Sequence, residues 1–480
     1  MRKRRSFALL ALALILSAAS ESFSEETAAA SGWVKSYYEI RTGREKIQPE
    51  FKRVMERPNG DLVAVGSCRR FRTDPNKYDL DGIILVASPT GSARYCWLVG
   101  SKNSDEYFNG LIATTDSGIL LCGSAVQDSK TTREWIVKLN ASWKIVWQRT
   151  YGKSDLRLSA LGAFQMKDPG FIIVSDEQTD FAEPYLMNIS TTGAVQWQKK
   201  LLKGDSSFAA VTILGNPLIA PSPATFAAVT LFGYHIDAPF VRPSLLKLNS
   251  KGSIVMLKRY QVDDGLFQFT FHPRSSVLTS DGGYLLGFFF DEYNASYALI
   301  RNPAALKLTS AGKATWAVKG ELNALTESTF DMQGAYPSAS GGAVLFPSTL
   351  EPYQNTIMSV LSDGTFQWAN AWTYYDNIYG SAPNEYAPTR QGGQVGVKND
   401  GIWKWDKSGL LSSDCKLKKK TNSVTAATVK DVDTTPFPKM PATTLSSAVS
   451  KMSSAKISSA NIKIHNDCRH WQSRPLSGRH

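Results

Sequence analysis

The sequence holds little of what most enzyme chemistry requires. Of its 480 residues only five are cysteine and five histidine. No cysteine pair has the C-x-x-C spacing, so there is neither a dithiol redox motif nor a zinc knuckle. No H-x-x-H or H-E-x-x-H pattern occurs, which disfavours a histidine-rich zinc or metalloprotease site. His465, His470 and His480 lie near the C-terminus, and His235 and His272 stand alone beside Tyr234 and Phe271. The last two read as packed or surface histidines. A G-x-S-x-G elbow, a Walker loop and a dinucleotide fingerprint are all missing. After the N-terminus no run of 18 apolar residues occurs, so no transmembrane helix is expected. Cysteine is too rare for a disulfide-built mini-scaffold. With 42% apolar and 20% charged residues the chain is also too apolar to be disordered.

Both ends differ from the middle. Arg2, Lys3, Arg4 and Arg5 precede an apolar run from Phe7 to Leu16, followed by small residues, Ser17-Ala18-Ala19-Ser20. This is the layout of a secretory signal peptide, assigned to residues 1–19, with 20–32 as linker. The adjacent arginines leave Sec and twin-arginine export both open. An exported protein is expected, whether periplasmic, extracellular or on the cell surface. From residue 416 the chain becomes a Ser/Thr/Lys-rich tail or small appended module, with Lys416, Lys418, Lys419 and Lys420 at its start. The formal charge of +12 divides unevenly. Four positive charges sit in the leader. From Asp414 onward there are 12 Lys/Arg against 4 Asp/Glu, and the middle holds 38 of each sign. A neutral body of this kind is not expected to bind nucleic acid.

Between the ends lies an internal repeat. One unit is a small or acidic residue, one or two glycines and a short apolar run. It begins at Asn59, Asp116, Asp168, Asp281, Ser340 and Gln391, with a degenerate copy from Pro223 to Val229. A second unit follows each copy: an apolar strand, a polar turn usually containing glycine, and a strand often bearing Trp. Trp135-Ile136-Val137-Lys138-Leu139 leading to Ile145-Val146-Trp147 is one example. The turns fall at 91, 143, 193, 252, 312, 364 and 409. About four short strands per unit at this period predict an all-β, seven-bladed β-propeller over residues 33–415, with six or eight blades still open. Glycine suits turns that need φ > 0. The tryptophans are expected to cover neighbouring blades as core. Trp33-Val34-Lys35-Ser36-Tyr37 resembles the outermost strand Trp147-Gln148-Arg149-Thr150-Tyr151 but stands before the first full unit. It is therefore predicted to complete the last blade and remove an open edge.

In one-letter form the pattern is DGGyllvG … WlvKLdsdGnivWqktyG. This resembles the repeat of a broad group of secreted bacterial β-propeller proteins, across residues 33 to 415. The resemblance implies the scaffold and no single activity. It also implies a cysteine after the last repeat followed by a Ser/Thr-rich stretch. The fourth unit departs most, lacking both the double glycine and the tryptophan, which leaves the blade boundaries between 201 and 260 open.

Candidate sites are few. Asp79-Leu80-Asp81-Gly82 holds closely spaced carboxylates of the kind calcium loops use, and Asp79 and Asp81 are the calcium candidates. No other cofactor is expected. Ser362-Asp363-Gly364-Thr365-Phe366-Gln367-Trp368 is similar to the Asp-box hairpin of sialidases, in another register. The disulfide candidates are Cys415 with Cys468, which bracket the tail, and Cys68 with Cys96; Cys122 reads as a buried thiol. The Lys416–Lys420 run could meet polyanions or a membrane surface. Asn140, Asn188 and Asn294 begin N-x-S sequons, without consequence in a bacterial chain. The expected function is a secreted, non-catalytic and monomeric binding or scaffolding propeller with a protein or glycan ligand. Segments 69–80, 177–184, 235–244, 291–303 and 373–388 form its variable surface. The alternatives are a glycan-active hydrolase or lyase, a quinoprotein-like enzyme, or a surface-anchored interaction protein using the basic tail.

Overall fold

The computed structural model describes residues 32–408 except 38–39, 43–44, 72–77, 101–104, 129–130, 153–156, 167–169, 178–183, 201–206, 216–227, 238–239, 250, 263–267, 294–298, 322–329, 339, 350–353, 374–384 and 399–400. It also describes 418–419, 423–426, 429–432, 456–459 and 465–466. The proposed signal peptide lies outside these residues. Among them every regular element is a strand, and no helix is long and apolar enough to cross a membrane.

The chain enters through β1 (Trp33–Ser36) and the short β2 (Ile40–Thr42). Blade 1 is β3 (Glu45–Glu56), β4 (Leu62–Phe71), β5 (Tyr78–Ala87) and β6 (Ala93–Gly100). Blade 2 is β7 (Asp105–Ala113), β8 (Ile119–Asp128), β9 (Thr131–Leu139) and β10 (Ile145–Tyr151). Blade 3 is β11 (Leu158–Gln165), β12 (Gly170–Glu177), β13 (Pro184–Ser190) and β14 (Val195–Lys200). Blade 4 is β15 (Ser207–Gly215), β16 (Ala228–Asp237), β17 (Phe240–Asn249) and β18 (Ile254–Val262). Blade 5 is β19 (Gln268–Leu278), β20 (Tyr284–Tyr293), β21 (Leu299–Leu308) and β22 (Ala314–Glu321). Blade 6 is β23 (Phe330–Pro337), β24 (Ala343–Thr349), β25 (Gln354–Val360) and β26 (Phe366–Thr373). Blade 7 is β27 (Glu385–Pro388), β28 (Gln394–Lys398) and β29 (Gly401–Trp405), with β1 as its fourth strand.

Each blade is an antiparallel meander. The first strands of successive blades touch one another, and β27 touches β3, so the ring closes at seven. Blades 4 and 5 are joined further by a short parallel pairing, Leu214 with Ser276 and Gly215 with Val277. The degenerate fourth unit is thus a full blade.

Period-2 alternation explains the stacking. In β4, Leu62, Val63, Ala64 and Val65 are all fully buried. Leu62 and Ala64 pack with Val395, Val397 and Ile402 of blade 7. Val63 and Val65 pack with Ile119, Leu121 and Trp135 of blade 2. The same division recurs around the ring, so middle strands read as near-continuous apolar runs because both faces are covered. Trp135 and Trp405 are fully buried, and Trp97, Trp147, Trp197, Trp316 and Trp368 pack from the outer strands onto neighbouring cores.

The seam closes as expected. β1 pairs antiparallel with β29, Trp33 opposite Lys404 through Ser36 opposite Gly401. Trp33 Nε1 donates to the Pro89 carbonyl at 3.0 Å and the Tyr37 hydroxyl to the Gly91 carbonyl at 2.8 Å. Trp147 and Tyr151 do the same to Thr191 and Gly193, both at 2.7 Å. β1 is therefore an ordinary outer strand supplied from the other end of the chain. Lys404 and Glu56 form a buried ion pair across the same seam at 3.8 Å.

Beyond the ring, the described tail is composed of five short strands laid on blade edges. β30 (Lys418–Lys419) pairs with β26 and β31 (Ser423–Ala426) with β22. β32 (Val429–Val432) pairs with β18, β33 (Lys456–Ser459) with β6 and β34 (His465–Asn466) with β1.

Deleting residues 31–40 should cost about 5 kcal/mol, the scale of removing one buried tryptophan. A calorimetric melting curve unchanged by the deletion would contradict this closure.

Candidate binding face

Antiparallel order sorts the connections onto two rims. The first-to-second and third-to-fourth strand turns share one rim. Those described are short and closed by paired backbone hydrogen bonds, such as Ser190 N to Ala194 O at 2.8 Å and Gly193 N to Ser190 O at 2.9 Å; the first-to-second connection of blade 4, residues 216–227, lies outside the described residues. The second-to-third strand connections and the blade-to-blade connections share the other. The connections within segments 69–80, 177–184, 235–244, 291–303 and 373–388 all lie on this second rim, but that within 235–244 is only the two positions 238–239, and the rest of this segment is strand, contrary to the expected loop.

The turn rim is locked by two devices. In the first, outer-strand side chains clasp the next blade's turn. Besides the Trp and Tyr bonds above, Tyr260 donates to Gly312 O at 2.8 Å, Trp316 to Ser362 O at 2.8 Å and Lys199 to Gly252 O at 2.7 Å. Gly91, Gly193, Gly252, Gly312 and Gly364 all have positive φ in these turns. Trp143 takes the same place with φ of 64° and no glycine. Its ring centroid lies 5.0 Å from that of Trp97, and the Arg57 guanidinium sits 5.0 Å from the same ring. This packing offsets a left-handed conformation that costs a non-glycine residue about 1 kcal/mol or more.

The second device explains the Asp-x-Gly…Lys pattern. Lys138 Nζ donates to Asp116 Oδ2 at 2.8 Å and to Leu139 O at 2.9 Å. Lys307 reaches both Asp281 oxygens at 2.8 Å. A Cβ on Gly118 would lie 2.2 Å from Leu139 O and 2.4 Å from Lys138 Nζ, and Gly283 is similarly hemmed by Leu308 O and Lys307 Nζ. Glycine there leaves room for the lysine. Burial alone would raise the Asp281 carboxyl, but hydrogen bonds from Lys307, Thr279 and the Gly283 amide outweigh it and hold it at about 2.

The loop rim is different in chemistry. Between blades 2 and 3, the Ser175 hydroxyl donates to Glu134, Ser124 to Ser159 at 2.8 Å, and Asn109 Nδ2 to Ser159 Oγ at 3.0 Å and Ala160 O at 3.1 Å. Glu134 is fully enclosed, and burial pushes its carboxyl up to about 7 against the opposing Ser175 hydrogen bond. Burial likewise raises the Asp176 carboxyl nearby. Between blades 1 and 2, Asp105 Oδ1 accepts from the Leu80 amide at 2.9 Å, and Asp81 and Glu106 are buried. These acidic and hydroxyl groups come from different blades. Nothing in the repeat pattern brings Glu134 and Ser175 together, 41 positions apart.

Asp79 and Asp81 both lie on β5, with the Asp81 carboxylate directed at Gly100 of β6. Among the described residues no cluster of three or more His, Cys, Asp or Glu is arranged to hold a metal ion. Asp363 Oδ1 accepts from the Thr365 amide at 2.9 Å and its hydroxyl at 2.7 Å, a turn-forming role. Cys68 and Cys96 are not brought together. Cys68 is opposite Asp81 on β5, Cys96 is opposite Leu85 on the far side of β5, and both are buried within blade 1. Cys122 is a buried free thiol. His235 and His272 sit on β16 and β19, with Arg242 and Phe289 opposite. Lys418 and Lys419 pair through their backbone with Ala371 and Asn370. Lys416, Lys420, Cys415 and Cys468 fall outside the described residues.

Neither a family model nor a curated protein matches the chain. Solved structures do. A Bacteroides caccae protein of unknown function is 12% identical, with 62% of this chain and 90% of that one covered and a TM-score of 0.33. Drosophila Plexin A, solved in complex with Semaphorin 1b, is 9% identical, with 76% and 88% covered and a TM-score of 0.40. The WD40 domain of SCAP from fission yeast is 10% identical, with 76% and 98% covered and a TM-score of 0.26. The propeller assignment rests on the strand pairing described above.

Two pH dependences follow. Unfolded Glu134 would ionise near pH 4.5 while the folded carboxyl stays protonated to about 7, so stability should fall as pH rises between those values. Glu134→Gln should remove that component, and its advantage in melting temperature over the native chain should grow from pH 5 to pH 7 and then level. A constant difference would show that Glu134 does not titrate late. Asp281 has the opposite sign: its clasp contributes above the unfolded pKa near 4 and is lost as pH falls through about 2. Asp281→Asn should therefore destabilise at pH 7 and be neutral near pH 2, as measured by denaturant unfolding.

Proposed function

We propose that this chain is a secreted, non-catalytic binding or scaffolding propeller whose protein or glycan ligand docks on the rim of the second-to-third and blade-to-blade connections. One observation carries the proposal. The connections 72–77, 178–183, 294–298 and 374–384 leave from strand ends on one rim, whereas the described turns of the opposite rim are tight and locked by Trp, Tyr and Asp–Lys clasps. Loops on a rigid scaffold are where recognition residues concentrate. The buried carboxylates and hydroxyls below that rim are hydrogen-bonded between blades, and they support a fixed platform. The neutral ring and its basic tail fit export followed by recognition of an uncharged or mixed surface.

A glycan array and a pull-down from the culture medium, both with mature residues 20–480, test this. Replacing 178–183 by an Asn-Gly turn should abolish retention of whatever ligand is captured. Lys144→Ala with Lys251→Ala, on the turn rim, should leave it unchanged. Absence of any specific ligand in both screens, or loss on the turn rim alone, would overturn the assignment.

A further inference from the structure

One junction on the turn rim breaks the rule that the others keep. Elsewhere an outer strand lays a large side chain and, two positions on, a basic one over the turn glycine of the next blade. A Cβ on Gly91 would meet Trp33 and Lys35, one on Gly252 Trp197 and Lys199, and one on Gly312 Met256 and Lys258. Between blades 1 and 2 all three positions differ. Tyr95 stands opposite Val86 as Trp147 stands opposite Lys138, so a tyrosine takes the place of the tryptophan. Trp97 replaces the lysine or arginine, and Trp143 replaces the glycine.

The three changes fit one another and build a stack. The Tyr95 and Trp97 ring centroids are 5.1 Å apart with planes within 9°, and those of Trp97 and Trp143 are 5.0 Å apart. Trp97 and Trp143 pack on the core between blades 1 and 2, which holds the stack in place. Trp97 covers one face of Tyr95. Because Tyr95 is nevertheless 54% exposed, its other face is open to solvent.

The surroundings select the ligand. The turns at 57–61, 88–94 and 140–145 carry Arg57, Arg94 and Lys144, against Asp61 as their one acidic residue. The Asp61 side chain is 6% exposed and pairs at 3.3 Å with Arg94, which stays half exposed. This surface therefore favours a negative partner. β33 pairs with β6 from Gly100 to Trp97, so that stretch of strand edge is already taken and a peptide cannot add to it as a further strand. A partner must lie on the side chains. The open face is one flat, rigidly backed ring, which suits a flat ligand and offers no pocket for a protruding side chain.

We propose that the Tyr95 stack is a binding platform for acidic polysaccharide. The C–H face of a pyranose ring, slightly positive, lies on the electron-rich tyrosine face. The carboxylates of that uronic acid unit or its neighbours meet Arg94 and Lys144. Tyrosine has few torsions to immobilise, and Trp97 already holds this one, so little side-chain freedom is lost on binding. The site is separate from the loop rim and requires no ligand there.

Isothermal titration calorimetry with mature residues 20–480 tests this, using hexagalacturonate and hexamannuronate as acidic sugars. Maltohexaose supplies sugar rings without charge, and hexaglutamate supplies charge without sugar rings. At least one uronate should bind, about tenfold or more tighter than either control. Tyr95→Ala should weaken it by about tenfold or more, whereas Tyr95→Phe should retain it, with the melting temperature of each variant unchanged. Raising the salt concentration should weaken binding of the uronate. Replacing 178–183 should leave this binding intact, which separates it from any ligand of the loop rim. The proposal is overturned if neither uronate binds, or if hexaglutamate binds equally well, which would mark charge recognition alone. It is also overturned if Tyr95→Ala has no effect, or if Tyr95→Phe loses as much as Tyr95→Ala, since the hydroxyl and not the ring would then make the contact.

Discussion

A sheet whose middle strands are apolar on both faces cannot stand at the end of a stack. Each blade here is such a sheet: Leu62 and Ala64 need blade 7, while Val63 and Val65 need blade 2. Two-sided burial requires every blade to have two neighbours, and a closed ring satisfies this without a terminal cap. The rest of the architecture follows. The last blade is completed by the first strand, the seam carries a buried Glu56–Lys404 pair, and outer strands bear side chains that reach the next blade. A buried ion pair adds little net stability.

Closure also separates stability from recognition. Hydrogen-bonded turns, aromatic clasps and Asp–Lys pairs occupy one rim, where the described turns are tight. The other rim receives the second-to-third and blade-to-blade links, because an antiparallel four-stranded meander always returns both to the same side. Variation can accumulate there without touching the stacked cores. The tail strands extend the same principle to the circumference, where unpaired blade edges would otherwise offer themselves to other chains.

Much of this was legible in the residues. Glycines with positive φ at 91, 193, 252, 312 and 364 marked the third-to-fourth strand turns, and Trp33 through Tyr37 announced the closing strand by its likeness to Trp147 through Tyr151. Other features left no local signal. Lys138 and Asp116 are 22 positions apart and meet only when adjacent strands pair. Glu134 and Ser175 belong to different blades, so their contact depends on stacking. Trp143 could be placed in a turn, but only the Trp97 and Arg57 packing accounts for a bulky residue at a left-handed position. Cys68 and Cys96 were plausible partners by count, yet β5 separates them.

The sequence by itself determined the blade, its repetition, the strand that closes the ring and the confinement of positive charge to the two ends. These depend on local rules: alternation of side chains along a strand, glycine in left-handed turns, and a period set by four strands and their turns. The blade number, the inter-blade clasps, the elevated Glu134 carboxyl and the pairing of the described tail strands with blade edges were decided only by tertiary structure. Each depends on which surfaces meet after stacking, and that is settled by ring geometry and burial between residues far apart in the chain.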